Sequence, residues 1–251
     1  MSFRRLLVWS SGRDSDAPKS IAQNLLGWLL QGATCILILL IADTLRKLGH
    51  LDTPIRPWEF WNDAPCHEWL PPLGTAAILT LVLCAFVLAH DVRSGVMERW
   101  IEGCPRSSRG FDEPLAGAVS GLVEECTFRW AINYLGIVFL SLVVKVLPFP
   151  LRTNAQFWEH YIRGSRIGIP CADQLGSILV LAGSAVMTTS VFAILHRRYG
   201  LWRGTVFAAL YGIGLHWIVL WYGMVPAICL HAFHNFAASC MNLAYVRLMQ
   251  P

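Results

Sequence analysis

Two adjacent glutamates and an arginine interrupt an apolar run that reads LAGAVSGLVEECTFRWAINY from Leu115 to Tyr134. Glu124, Glu125 and Arg129 are residue types that a lipid-facing helix excludes, because each charge at a bilayer centre costs roughly 2.5–3.5 kcal/mol even on insertion scales. On helical geometry Glu125 and Arg129, at i,i+4, share a face and can neutralise each other, whereas Glu124 points about 100° away. Glu124 is then the carboxylate left for chemistry. The competing reading is a buried polar network that only fixes helix packing.

Two further apolar runs carry imidazoles. Phe192-Ala-Ile-Leu-His196 closes one of them, with Phe192 and His196 one helical turn apart on the same face. A lone histidine at a helix end also serves as an interfacial or capping residue. His231-Ala-Phe-His-Asn235 lies inside the last run, with His231 and Asn235 again at i,i+4. An imidazole and an amide on one face can both donate hydrogen bonds to a single oxygen, which is what an oxyanion requires. His234 points elsewhere, and His216 sits near Trp217 and Trp221; both read as packing or secondary residues. No G-x-S-x-G surrounds Ser120, and H-E-x-x-H is absent.

The elements that must position these groups are membrane helices. The chain is 55% apolar and 14% charged, against about 25% charged residues in ordinary soluble domains. Apolar runs near 20 residues, the length that crosses about 30 Å of hydrocarbon as a helix, recur along it. They predict an all-α polytopic bundle with six spans, at about 22–44, 72–90, 113–135, 175–196, 202–222 and 224–246. The apolar segment Gly136 to Leu147 is too short to cross alone. It could extend the third span, re-enter the membrane or form a seventh crossing. Residues 1–112 then form an N-terminal segment with two spans, and 113–251 the core that bears the polar groups, with a polar, aromatic loop inserted at 149–174. Loops this long are often lids or binding elements.

Charge supports the same picture. A net +4 scattered between spans predicts no nucleic-acid partner and a lipid bilayer as surroundings. The first 21 residues carry Arg4, Arg5, Arg13 and Lys19 around a short apolar stretch, so the first span is expected to stay as an uncleaved anchor. With a cytoplasmic N-terminus, the lysines and arginines between spans divide twelve inside against six outside, as the positive-inside rule favours. That orientation brings Cys66 and Cys171 to the outer face, where a disulfide is chemically permitted. Gly117 and Gly121 have the small-xxx-small spacing that lets helices approach closely.

The ordered triple E-E-x-x-x-R, F-x-x-x-H and H-x-x-x-N, each on its own apolar helix, resembles the type II CAAX prenyl endopeptidase family, also called the CPBP or Abi family of intramembrane glutamic peptidases. Here the motifs are Glu124-Glu125-Cys-Thr-Phe-Arg129, Phe192-Ala-Ile-Leu-His196 and His231-Ala-Phe-His-Asn235. The hairpin GTVFAALYGIGLHWIVLWYGMVPAICLHAFHN is also similar to the family's small-residue-rich pair. The likeness covers roughly residues 113–245. Trp130 departs from the Gly of many members, and the stretch from Arg129 to His196 is longer than in compact bacterial members.

The resemblance implies peptide-bond hydrolysis without a covalent intermediate. Glu124 with His196 would bind and deprotonate a water. His231 and Asn235 would hold the oxyanion, and Glu125, Arg129 and Phe192 would support the site. It implies a peptide or protein substrate, prenylated at its C-terminus in eukaryotic members, and no cofactor. Bacterial members are linked to peptide or bacteriocin maturation and immunity, or to scaffolding. The membrane would be the bacterial cytoplasmic membrane or the endoplasmic reticulum. Three alternatives stay open at this point: a zinc peptidase using the same glutamate and histidines, a transporter or proton relay, and a non-catalytic adaptor.

Overall fold

The computed structural model describes residues 21–51, 53, 55–95, 112–146, 175–197 and 201–249. Among them the secondary structure is helical, with no strand. In chain order the elements are α1 (Ile21–Leu48), a 3₁₀ turn (Pro57–Trp61), α2 (Cys66–Arg93), α3 (Asp112–Glu125), a π-helical segment (Cys126–Ile132), α4 (Asn133–Val146), α5 (Leu175–His196), a second π-helical segment (Leu201–Phe207), α6 (Ala208–Tyr222) and α7 (Met224–Met249).

Among the described residues six helical stretches are long and apolar enough to cross a membrane: Asn24–Leu48, Cys66–Arg93, Glu113–Val143, Leu179–His196, Gly204–Tyr222 and Met224–Met249. Gly136 and the apolar residues after it neither re-enter nor form a separate crossing; they prolong the third span as α4, up to Val146. That span is not a uniform α-helix, as the sequence suggested. The Asn133 N–H reaches back to the Phe128 carbonyl, five residues away, so Cys126–Ile132 winds as a π turn. Apolar side chains on α1 and α2 face outward, Leu29 being 63% and Ile78 64% exposed, whereas Glu125 and Arg129 are 0% exposed. This inversion of soluble-protein patterning is what a hydrocarbon solvent selects. The 149–174 loop, Cys171 and residues 1–20 lie outside the described residues.

The chain divides into two compact units interleaved in sequence. One comprises Met1–Gln31, Leu70–Val123 and Ile228–Pro251; the other comprises Gly32–Trp69 and Glu124–Ala227. In the first unit α3 lies directly against α7. A methyl group on Gly121 would stand 2.9 Å from the Ala232 nitrogen, and one on Gly117 3.2 Å from the Asn235 carbonyl oxygen. The small-xxx-small spacing is therefore used for backbone contact, as read from the sequence. Cys84 of α2 meets His234 of α7 in the same unit, Sγ to Nδ1 at 3.6 Å.

In the second unit α4 packs on α5, and α5 on α6. The segment from Pro57 to Ala64 acts as a strap across this unit. The Trp130 indole N–H donates to the Pro57 carbonyl at 2.8 Å, and the Trp61 ring meets Trp130 edge-on at 5.3 Å. At its other end the Ala64 N–H donates to the Tyr222 carbonyl at 2.9 Å. Beside it the Asp63 carboxylate accepts from the Val225 N–H at 3.0 Å. Asp63 thus caps the first turn of α7 from a remote segment, satisfying donors that have no partner within the helix. The turn between α6 and α7 needs glycine: Gly223 has φ 98°, and a side chain there would collide with Asp63.

Candidate active site

The third span supplies the acid groups, and its geometry sorts them. Glu125 and Arg129 are both fully buried and paired, with Nη1 3.1 Å from Oε1 at i,i+4. Two charges in that position are tolerated only together, since either one alone would be an uncompensated ion in a low-dielectric interior. The guanidinium is also held from above, lying 4.4 Å over the ring of Phe192, and from the side by α6. A methyl on Gly212 would stand 3.1 Å from Arg129 Nη2, so the glycine lets the guanidinium lie close against α6.

Glu124 is set apart from this pair, with 18% of its side chain accessible. Its Oε2 faces His196 Nε2 at 3.8 Å. That gap exceeds a direct hydrogen bond and is short enough for one water to touch both atoms. His196 is pre-oriented for it. Nδ1 lies 2.8 Å from the Phe192 carbonyl oxygen, an acceptor, so the ring proton is on Nδ1 and Nε2 is directed at Glu124. The imidazole stacks on Phe192 with ring centroids 4.1 Å apart. Phe192 in turn meets Phe128 edge-on at 5.1 Å, within a small apolar core shared with Ala193 and Ala208. The F-x-x-x-H spacing thus places one side chain as the platform for the other.

Among the sequence-selected residues, Glu124, Glu125, Arg129, Phe192 and His196 come together within the second unit. His231 and Asn235 are one turn apart on α7 in the first unit, with His231 3% exposed. Within that unit their segment is the one on which Gly121 of α3 makes its backbone contact. His234, read as secondary, meets Cys84. His216, which like His234 reads as a packing or secondary residue, is buried with its Nδ1 3.2 Å from the Gly212 carbonyl oxygen. Asp63 escaped sequence reading altogether. Its carboxyl is pushed up from the ordinary range by burial, against the opposing hydrogen bonds from the Val225 and Met224 backbones.

For a metal, the donor set matters. Among the described residues no three of His, Cys, Asp and Glu gather closely enough to ligate one ion. No protein-family model matches the chain, and no curated protein and no solved structure matches it either.

Proposed function

We propose that the protein is an intramembrane endopeptidase in which Glu124 and His196 activate a water for attack on a peptide bond. The observation that carries this reading is the Glu124–His196 pair: 3.8 Å apart, partly accessible, and lodged in a span where an unemployed carboxylate is costly. The neighbouring charges strengthen it. Glu125 is committed to Arg129, so the two adjacent carboxylates are given different environments and different work.

In the proposed reaction Glu124 takes the proton of the shared water while His196 Nε2 orients it. The hydroxide adds to the carbonyl carbon, and the glutamic acid so formed returns its proton to the departing amine. The resemblance gives the developing oxyanion to His231 and Asn235, an imidazole and an amide at i,i+4 that can both donate to one oxygen. Glu125, Arg129 and Phe192 hold the pair in place. The resemblance to the CAAX prenyl endopeptidases supports a substrate whose scissile bond lies at the membrane surface next to a prenylated C-terminus. The distribution of lysines and arginines supports a cytoplasmic N-terminus.

The test is direct. Purified protein in mild detergent is incubated with a farnesylated CAAX peptide and its unprenylated twin, and the products are identified by mass. Cleavage that disappears in Glu124→Gln and in His196→Ala, with both variants still folded, is the expected outcome. Full activity in folded Glu124→Gln ends the proposal. Metal analysis and activity after chelation separate it from a zinc peptidase, which would lose activity with its metal.

A further inference from the structure

His216 is 5% exposed, deep in the span formed by α6, and the catalytic assignment above does not use it. Its surroundings are unusual for a histidine that merely fills space. Nδ1 lies 3.2 Å from the Gly212 carbonyl oxygen. A carbonyl can only accept, so the proton sits on Nδ1, and in the neutral ring Nε2 is a bare acceptor. That Nε2 is buried with no hydrogen-bond partner among protein groups. The charged groups acting on the ring are Arg129 and Glu125.

Buried donors border the same glycine. Arg129 Nε and Nη2 are buried and also lack a protein acceptor, and Nη2 is the atom nearest to where a Gly212 side chain would begin. Gly212 is therefore touched from one side by the guanidinium, while its carbonyl holds the His216 ring. The Thr189 hydroxyl is a further buried polar atom without a protein partner, and its methyl also borders Gly212, 3.2 Å from the would-be side chain. A buried acceptor and several buried donors, left unpaired in a low-dielectric interior, are what an internal water bridges.

We infer that His216 is a positioning residue for the site, acting on Arg129 through a water held by His216 Nε2, the Arg129 guanidinium and the Thr189 hydroxyl. This rests on the peptidase reading for its consequence, though not for its geometry. The path to the chemistry is continuous. Arg129 lies against the face of Phe192, Phe192 carries the His196 ring at 4.1 Å, and His196 faces Glu124 at 3.8 Å. A guanidinium held on two sides, by Glu125 and by the bridged imidazole, keeps a single plane. Without His216 it turns toward Glu125 alone, and Phe192 and His196 lose the surface that sets their tilt.

Two measurements test this. In protein labelled with ¹⁵N-histidine, the signal that disappears in His216→Gln identifies the residue. It should show a protonated Nδ1 and an unprotonated, hydrogen-bonded Nε2, and the Nε2 shift should move in Arg129→Lys and in Thr189→Val. A protonated Nε2, or a shift indifferent to the variants that fold, overturns the assignment. In the cleavage assay His216→Ala should lower kcat about ten- to a hundred-fold, the scale of a misplacement of about 1 Å, with KM little changed. His216→Gln, whose amide oxygen replaces the acceptor, should recover most of it. Equal losses in the Ala and Gln variants would mean packing alone and would refute the role. Unchanged kinetics in His216→Ala, in an enzyme that Glu124→Gln silences, would remove this inference and leave the peptidase standing. Activity surviving in Glu124→Gln would remove the peptidase and leave the nitrogen shifts to decide the water site.

Discussion

The Glu125 carboxylate and the Arg129 guanidinium lie 3.1 Å apart with neither side chain exposed, one turn from each other across the start of a π segment. A pair buried this completely is tolerated only while both partners are present. Glu125→Gln or Arg129→Met alone should cost about 3–5 kcal/mol, because each removes the opposite charge from beside a buried ion. The double variant should cost much less than the two singles together. Reversible unfolding in mixed detergent micelles reads the cycle, and additive losses would show that the ions are not coupled.

The assignment of His231 and Asn235 makes a separate kinetic claim. A donor that acts on the oxyanion contributes chiefly in the transition state. Asn235→Ala should therefore lower kcat by about 10²–10³, with KM nearly constant. A rise in KM at unchanged kcat would place Asn235 in substrate binding instead.

The strap makes a prediction about stability and pH. Removing the Asp63 cap in Asp63→Ala should cost about 1 kcal/mol, whereas Asp63→Asn, an equally good cap, should cost little. The Asp63 carboxyl is raised from the ordinary value of 3.8, by burial first, so the folded protein favours its protonated form. The sign follows by linkage. The stability that Asp63 adds relative to Asp63→Asn is fully present below pH 3.8 and is lost as pH rises through the raised value. Thermal unfolding of the two proteins across that range should show the difference shrinking as pH climbs; a difference growing with pH would mean that the backbone hydrogen bonds outweigh burial.

Gly121 should be the least replaceable glycine of α3. A methyl there meets backbone atoms of His231 and Ala232 at 2.9 Å, and a main chain cannot swing aside as a flexible side chain can. Gly121→Ala should lower stability by about 1–3 kcal/mol through overpacking. At Gly74 a side chain meets nothing within 4 Å, so any loss in Gly74→Ala beyond a fraction of that in Gly121→Ala would contradict this account.

Local relations were legible from the residues themselves. The i,i+4 rule anticipates the Glu125–Arg129 pair, the one-turn spacing anticipates Phe192 under His196, and Gly117 with Gly121 anticipates close helix approach. Each depends only on helical geometry, which acts over four residues. The π turn at Cys126–Ile132 was not legible, because an apolar run buried on several sides has no sharp period from which one added residue would stand out. Nor was the Asp63 cap: donor and acceptor are 162 positions apart, and only the packed fold brings them together. Trp130 was visible merely as a departure from the motif pattern that the chain resembles, and its partners Pro57 and Trp61 explain why an indole is accommodated there.

A π turn holds about one residue more than the α turn it replaces, which makes Cys126–Ile132 a dial set between the two halves of the third span. Taking one residue out would let the segment relax to ordinary winding and would rotate everything downstream by about 100°. Tyr134, Ile137 and Val138, now fully interior, would swing toward lipid, while Glu124 stayed where it is. A single codon lost from this stretch should therefore be damaging out of proportion to the one side chain it removes. Length at this point carries information that no individual side chain does.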